Sequence, residues 1–489
     1  MMIKSYRGRQ MLRYFQFNNG LSWGMTAVFF LLSINFSPLS FKLPLLIGAV
    51  VHAVLSVLHT VMLKEMKRAS FDADQQQPLF KVFSLLLILG LFAGNIFTFL
   101  SGAIARKKNP DVGFIYSLYM VLVDVFIIIV TLLNLFKPFV SNTFLLTLYL
   151  LIAVLLFHIV VAVFGQKWYH LNKKAQVTGL VLLVLTALLG NVLALFVAVS
   201  MYKTNQDLAG DRRQTSVREK LTRNQAALLG LMFITFLISL AWTSNFTFSE
   251  SFAVQNNYAN ILQPPTMASP FGTDNYGRDV FSRIVFGSQI SLAVGLLSTL
   301  LPFFIGGTLG AVSGFYGNRT DNVIMRLLDV LYAIPGMLLA ITIVASFGAS
   351  TTNLIIALSL GSIPSYARTM RANVMQVANY EYVEAARALG QDNRTLILKH
   401  IVPNAMAPMI VRSTLTIGTA VISTSSLSYL GLGVEAHVPE WGNILRIGSQ
   451  YLETNPYLAI YPGLAIILLV LSFNFLGDGL RDATDPKLN

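Results

Sequence analysis

The chain has 489 residues, 55% of them apolar and 12% charged, and its mean hydropathy of +0.64 lies well outside the range of soluble proteins. Its formal charge of +13 is spread between apolar stretches rather than gathered in one patch, which argues against a nucleic-acid partner. The absence of cysteine excludes a disulfide framework, thiol chemistry and a cysteine metal site.

A membrane-crossing helix needs about 20 apolar residues to traverse about 30 Å of hydrocarbon. In chain order, such stretches lie near 21–40, 42–63, 81–104, 113–136, 142–165 and 176–202, with Ser33, Asn35, Ser37 and Pro38 interrupting the first. A second set lies near 225–243, 288–314, 323–348, 351–367, 405–432 and 457–477. The expected fold is an all-α polytopic membrane protein of about twelve transmembrane helices. No short apolar core with a small-residue cleavage site opens the chain, so no removable signal peptide is expected.

Positive charge orients such helices. Lys4, Arg7, Arg9 and Arg13 place the N-terminus in the cytoplasm, and Arg212, Arg213, Arg218, Lys220 and Arg223 place the polar linker at about 203–224 there too. Six spans between them satisfy both. On that count the loops with Arg106, Lys107 and Lys108 and with Lys167, Lys173 and Lys174 fall outside, against their charge. The linker divides a first module, 1–204, from a second, 205–489, whose core is about 287–478. In the first, His52, His59, His158 and Asp124 are ionisable groups at membrane depth; interhelical hydrogen bonding is favoured over a metal or proton site.

In the second module the span at 225–243 leads to a polar segment at 244–287 on the outer side. There Gly272 and Gly277 suit tight turns, and Asp274, Arg278 and Asp279 suit a local ion-pair network, with structure and gating favoured over cargo binding. Gly306, Gly310 and Gly314 form a packing stripe, and Pro335-Gly336 and Pro462-Gly463 should kink their spans. Loops with Arg319 and Arg326, and with Arg368, Arg371, Arg387, Arg394 and Lys399, fall inside, as does the C-terminus with Arg481 and Lys487. A polar run, Ser423, Thr424, Ser425, Ser426 and Ser428, interrupts an apolar helix and is expected to face a water-filled pathway.

The most informative loop runs from Glu381 to Pro403. Val383, Ala386 and Leu389 recur at three-residue spacing, putting small and apolar side chains on one helix face. Gly390 then stops the helix, Asp392 or Asn393 caps a second one carrying Leu396, Ile397 and Ile401, and Pro403 ends it. The product is a helix–turn–helix knob. Glu381, Glu384, Arg387, Arg394 and Lys399 keep it wet, and Ala385 and Ala386 allow another surface to approach, as a helix-in-groove contact requires.

Glu384-Ala385-Ala386, Gly390, Ile401 and Pro403 resemble the E-A-A-x3-G…I-x-P signature of ABC importer permeases. Ser269 to Asp279, Leu427 to Gly433, Pro439 to Asn443 and Phe473 to Asp482 are similar to the second-permease subunit of the dipeptide, oligopeptide and nickel importers, over roughly 212–489. The resemblance implies a type I importer permease core in the C-terminal half, in a bacterial cell membrane with both termini cytoplasmic. It implies as partners a second permease, two cytoplasmic ATPase subunits, a lipid-anchored extracytoplasmic substrate-binding protein and membrane lipid. The loop would be the coupling helix, with Glu381, Glu384, Ala385, Ala386, Arg387, Gly390, Ile401 and Pro403 as its signature positions. The segment of Asp274, Arg278 and Asp279 would be a scoop that meets the binding protein. Peptide is the expected cargo, with nickel chelate, glutathione and haem as alternatives, and the first module is an addition that the resemblance does not cover.

No G-x4-G-K-S/T occurs, so the chain is expected to be no enzyme, ATP and Mg being held by partner subunits. G-x-S-x-G and H-E-x-x-H are also absent, and no catalytic residue, metal site or cofactor of its own is expected. An ion-coupled secondary transporter, with Asp124 as its carrier group, is the alternative from another class.

Overall fold

The computed structural model describes residues 6–36, 39–67, 78–107, 110–170, 172–209, 216–435 and 437–484. Of the charges read above for orientation, Lys4, Lys108, Arg212, Arg213 and Lys487 lie outside the described residues, as do Ser37 and Pro38. The first half runs α1 (Tyr6–Ser33), a short β1–β2 hairpin (Ile34–Phe36, Leu39–Phe41), α2 (Leu43–Lys67), α3 (Pro78–Ile88), α4 (Ile96–Ala105), α5 (Val112–Leu132), α6 (Phe144–Phe164), α7 (Lys173–Leu188) and α8 (Leu193–Ala209). After α9 (Val217–Leu221) come α10 (Gln225–Thr247), α11 (Ser251–Val254), α12 (Val280–Tyr316), α13 (Asn318–Tyr332), α14 (Gly336–Phe347) and α15 (Thr351–Ala378). The chain closes with α16 (Glu381–Ala388), α17 (Asn393–Thr395), α18 (Val402–Ala405), α19 (Ala407–Tyr429), α20 (Trp441–Ser449) and α21 (Tyr457–Thr484).

Among the described residues, seven helices are long and apolar enough to cross a membrane, or eight if the α13–α14 pair, bent by 75°, is one span. The bend falls where Pro335 caps α14 without an N–H to give, as expected. Pro462, by contrast, sits inside α21, which runs unbroken. The stretches at 81–104 and 176–202 differ from single spans for a local reason. The first breaks at Gly90 to Asn95, and α3 and α4, each only about 16 Å long, fold back on each other. A Cβ on Gly102 would stand 2.6 Å from the Ser84 carbonyl, so the two legs touch backbone to backbone. The second breaks at Gly190, whose φ of +127° few other residues adopt. Met201 of α8 then lies beside Gly165 and Gln166, just before α7 begins, so the pair returns to the end it started from.

Two compact units emerge, and they are not divided at one point of the sequence: 1–122, 156–184 and 193–225 form one, and 123–155, 185–192 and 226–489 the other. In the first, a buried hydrogen-bond ladder replaces the hydrophobic drive that lipid cannot supply. Tyr14 meets Tyr119 at 3.0 Å, Asn18 donates to Ser101 at 3.1 Å, and Asn95 donates to Ser22 at 2.9 Å. His52 Nδ1 lies 3.1 Å from the same Asn95 amide, so it is part of this ladder. One end of the unit gathers Gln166 on Asp111 (3.3 Å), Lys107 on the Val163 carbonyl (3.2 Å) and Tyr116 on the Arg218 carbonyl (3.2 Å).

In the second unit the glycine stripe of α12 packs on α15. Cβ atoms at Gly306 and Gly314 would stand 2.7 Å from the Ile363 and Arg371 carbonyls, and one at Gly310 closer still to that of Ala367. The seam is therefore locked by backbone contact. Arg371 adds an ion pair to Asp321 of α13 at 2.6 Å, and Asp124 accepts from Asn191 at 2.6 Å.

Candidate functional site

The loop after α15 stands on an apolar base. Val383 and Ala386 of α16 are buried with Leu396, Ile401 and Ala405 against Met370, Val374 and Val377 of α15. Leu389 departs from the expected face and is 85% exposed. The reason is helical pitch: three-residue steps drift by about 60° each, so Leu389 lies about 120° round from Val383. Gly390 turns the chain with φ +81°, its N–H bonding the Arg387 carbonyl (3.0 Å) while the Gln391 N–H bonds that of Ala386 (3.2 Å). This is a Schellman stop, and because a Cβ at Gly390 would touch no other atom, backbone conformation alone calls for glycine.

Asp392 caps the next helix, accepting from the Thr395 N–H at 3.4 Å, and the Thr395 hydrogen bond holds its carboxyl below the usual range. Pro403 does not end that helix. A π-turn at Leu396–Ile401 opens the ladder, Pro403 occupies the first turn of α18, and the chain continues to Tyr429. A proline lacks the N–H that such an opening leaves unmatched. The His400 carbonyl freed there accepts from Tyr382 (3.2 Å) and Asn404 (2.6 Å), tying the legs of the knob together.

The outer face carries Glu381, Glu384, Ala385, Arg387, Leu389 and Arg394, all exposed, while Ala386 faces inward. Among the described residues, Glu381, Glu384, Arg387 and Arg394 make no ion pair within the chain; Arg387 only lies 6.0 Å from the Phe315 ring. A knob with uncommitted charge and two exposed leucines, Leu389 and Leu398, can enter a groove on another protein without first breaking ion pairs of its own.

The segment 248–279 is built the opposite way. Asp274 Oδ2 binds Arg278 at 2.8 Å and lies 3.7 Å from Arg283, while Oδ1 accepts the Tyr276 and Arg278 N–H groups. Asp279 caps α12 through the Ser282 N–H at 2.9 Å, and Lys137 reaches it at 2.7 Å. All five charges are buried. Burial pushes the Lys137 ammonium down, opposed by Asp279. Lys137 and Arg283 escaped the sequence reading. Arg283 carried a signal, standing four residues after Asp279 in an apolar helix; Lys137 carried none, since its partner is 142 positions away.

The serine run divides around α19. Thr424, Ser425 and Ser428 are buried, and Gly433 and Gly442 pack so closely that Cβ atoms there would strike Ser428 and Ser425. Ser423 is half-buried and Ser426 exposed, each on the other side of the helix. Nearby, Glu440 caps α20 by accepting from the Gly442 (2.9 Å) and Asn443 (3.0 Å) N–H groups; burial pushes its carboxyl up, against those bonds.

Residues 306–489, which include the glycine seam, the knob and the serine run, match the binding-protein-dependent transport system inner membrane component family. A dipeptide transport system permease protein, DppC, of Alkalihalophilus pseudofirmus is 42% identical over 270 residues, covering 55% of this chain and 88% of that protein. The chain belongs to this permease family. A glutathione transport system permease protein, GsiD, of Pectobacterium atrosepticum is 40% identical over 269 residues, 55% of this chain and 89% of its own length. Among solved structures, an inward-facing MetNI methionine ABC transporter is 20% identical over 42% of this chain and 97% of that one, with a TM-score of 0.35. As a member of the family the chain is a multi-pass membrane protein, and the permease core occupies its C-terminal half.

Proposed function

We propose that this chain is the permease subunit of an ATP-driven importer of di- and oligopeptides. It forms half of the translocation pathway beside a second permease, and two separate cytoplasmic ATPase subunits hold the ATP and Mg. One observation carries the reading: the knob at 381–403 is anchored beneath and uncommitted above. Glu384 and Arg387 pair with charges of the ATPase, Ala385 permits close approach, and Leu389 fills a pocket in its groove. Ala386, Ile401 and Pro403 act from below, as the base and turn of the knob.

ATP-driven closure of the ATPase pair draws on the knob, and the motion has a direct route inward. The base of the knob packs on α15, and α15 is locked to α12 by the glycine seam, so the helices move as a body. Ser423 and Ser426 are the members of the polar run that face the pathway, whereas Thr424, Ser425 and Ser428 hold α20. A lipid-anchored binding protein delivers cargo to the 248–279 side. Peptide is favoured because two relatives are named for the transport of dipeptide and of glutathione, itself a small peptide.

Orientation follows from charge and contact. The Lys137–Asp279 pair supports a 137–143 loop on the same side as 248–279, and the Tyr116–Arg218 bond supports an α5 that starts beside the linker. With 248–279 outside, the loops of Lys107 and of Lys167, Lys173 and Lys174 fall inside, and the charge conflict of the six-span count disappears. The N-terminus, linker and C-terminus are then all cytoplasmic, and residues 1–204 form an accessory membrane module.

The test is to purify tagged chain from its native membrane and identify what accompanies it. A second permease, two ATPases and a binding protein are expected. Recovery of the chain alone would return an ion-coupled carrier to the front. In membranes that contain the whole assembly, Gly390→Pro should abolish ATP-dependent peptide uptake; uptake that survives it removes the coupling role of the knob.

A further inference from the structure

The loop between α5 and α6 belongs to the first half of the sequence, yet its polar groups are spent on residues more than a hundred positions later. Ser141 and Thr143 donate to the Phe246 carbonyl at 2.6 and 2.7 Å, and Asn134 donates to that of Thr247 at 3.2 Å. These carbonyls end α10, where a helix has no acceptor-matching donors of its own. Lys137 reaches the other end of the same segment. Its ammonium meets Asp279, the cap of α12, at 2.7 Å and also the Ser282 hydroxyl, and lies over the Phe252 ring at 4.7 Å. Phe139 stacks on Phe252 at 4.5 Å. One loop thus grips both ends of residues 248–279.

The grip is built rather than incidental. The Lys137 side chain is 2% exposed, and an ammonium that far from water persists only with a partner whose position is fixed. The Lys137 ammonium holds the Asp279 carboxylate in place, and Asp279 in turn holds the first turn of α12. Nothing in the C-terminal half supplies a second cation to that carboxylate among the described residues.

We propose that the 133–143 loop is an internal clamp on the 248–279 segment, with Lys137 as its positioning residue. Through it the accessory half sets the shape in which the permease half meets its extracytoplasmic protein partner. That role toward a partner rests on the importer reading; the clamp itself does not.

Hydrogen–deuterium exchange on the full chain in lipid nanodiscs tests the clamp without any transport assay. In Lys137→Met, amides of 248–279 should exchange at least about tenfold faster than in the native chain, while those of 383–401 keep their rate. Lys137→Arg should restore most of the protection. Unchanged exchange in 248–279 overturns the clamp. If Lys137→Met fails to fold, the Ser141→Ala, Thr143→Ala double variant decides: several-fold faster exchange confined to 246–256 supports the clamp, and none overturns it.

The positioning role has its own readout, ATP hydrolysis by the assembled transporter titrated with its binding protein. The binding-protein concentration for half-maximal stimulation should rise about tenfold in Lys137→Met, with the unstimulated rate unchanged and Lys137→Arg close to native. A loosened segment with an unmoved half-maximal concentration rejects the positioning role while leaving the clamp. An assembly without ATPase, together with faster exchange, rejects the importer reading and not the clamp.

Discussion

The knob at 381–403 and the segment at 248–279 have similar polar compositions and opposite constructions. The knob buries Val383, Ala386, Leu396 and Ile401 and leaves Glu381, Glu384, Arg387 and Arg394 in solvent without ion-pair partners among the described residues. The segment buries Asp274, Arg278, Asp279 and Arg283, and Lys137 with them, and ties them to each other and to backbone. Charge held outward and unpaired is available for another protein. Charge turned inward fixes a shape, and its removal is felt as lost stability rather than lost contact.

The largest effect expected from this contrast is at Asp274. Asp274→Ala leaves Arg278 and Arg283 buried without their carboxylate, and breaking a buried pair from one side costs about 3–5 kcal/mol. Thermal unfolding in detergent should drop sharply, and limited proteolysis should cut within 248–279. The equivalent loss in the knob, Glu384→Ala, has no such neighbour.

Two glycines sharpen the point. Gly277 and Gly390 both have positive φ, +73° and +81°, but a Cβ on Gly277 would run into the Asn257 carbonyl whereas one on Gly390 meets nothing. Gly390→Ala should therefore cost only the left-handed conformation, about 1–2 kcal/mol, and Gly277→Ala clearly more. Equal losses of thermal stability in the two variants would contradict this difference in packing.

A smaller effect separates buried from exposed carboxyls by pH. Glu440 is buried and pushed above its ordinary 4.5. Its folded form binds a proton more readily than the unfolded one, so its contribution to stability is full below about 4.5 and lost as pH rises through the raised value. Glu440→Gln, which keeps one of the two acceptor oxygens and removes the charge, should flatten the decline of thermal stability above pH 4.5. A decline that survives the substitution assigns it elsewhere. Least of all should Glu384→Ala change stability, by less than about 0.5 kcal/mol as for other exposed positions, while ATP-dependent uptake falls at least about tenfold.

Much of the knob was legible because its information is local. Apolar spacing, a stop glycine and a cap residue lie within a few turns, and the structure differs where three-residue steps drift (Leu389), where Ala386 turns inward and where a π-turn absorbs Pro403. The pairing of Asp274 with Arg278 was legible for the same reason, since four positions separate them. The reversals at Gly90 to Asn95 and at Gly190 were not, because the turns themselves remain apolar and a hydropathy window passes over them. Nor was the division of the serine run, where five hydroxyls adjacent in sequence are distributed around a helix that advances 100° per residue. Lys137 marks the limit: a lone lysine in a loop reads as an orientation signal, and only the fold brings Asp279 to it.

The absence of cysteine makes the central claim directly measurable, since any introduced thiol is the sole one. Ala385→Cys and Leu389→Cys, on the bare face of the knob, would be treated with a bifunctional maleimide-and-photoreactive probe in native membranes, beside Val383→Cys on the buried face. The account predicts ATP-sensitive crosslinks from the two exposed positions to a cytoplasmic ATPase subunit and none from Val383. Crosslinks to no ATPase from either exposed position would contradict it.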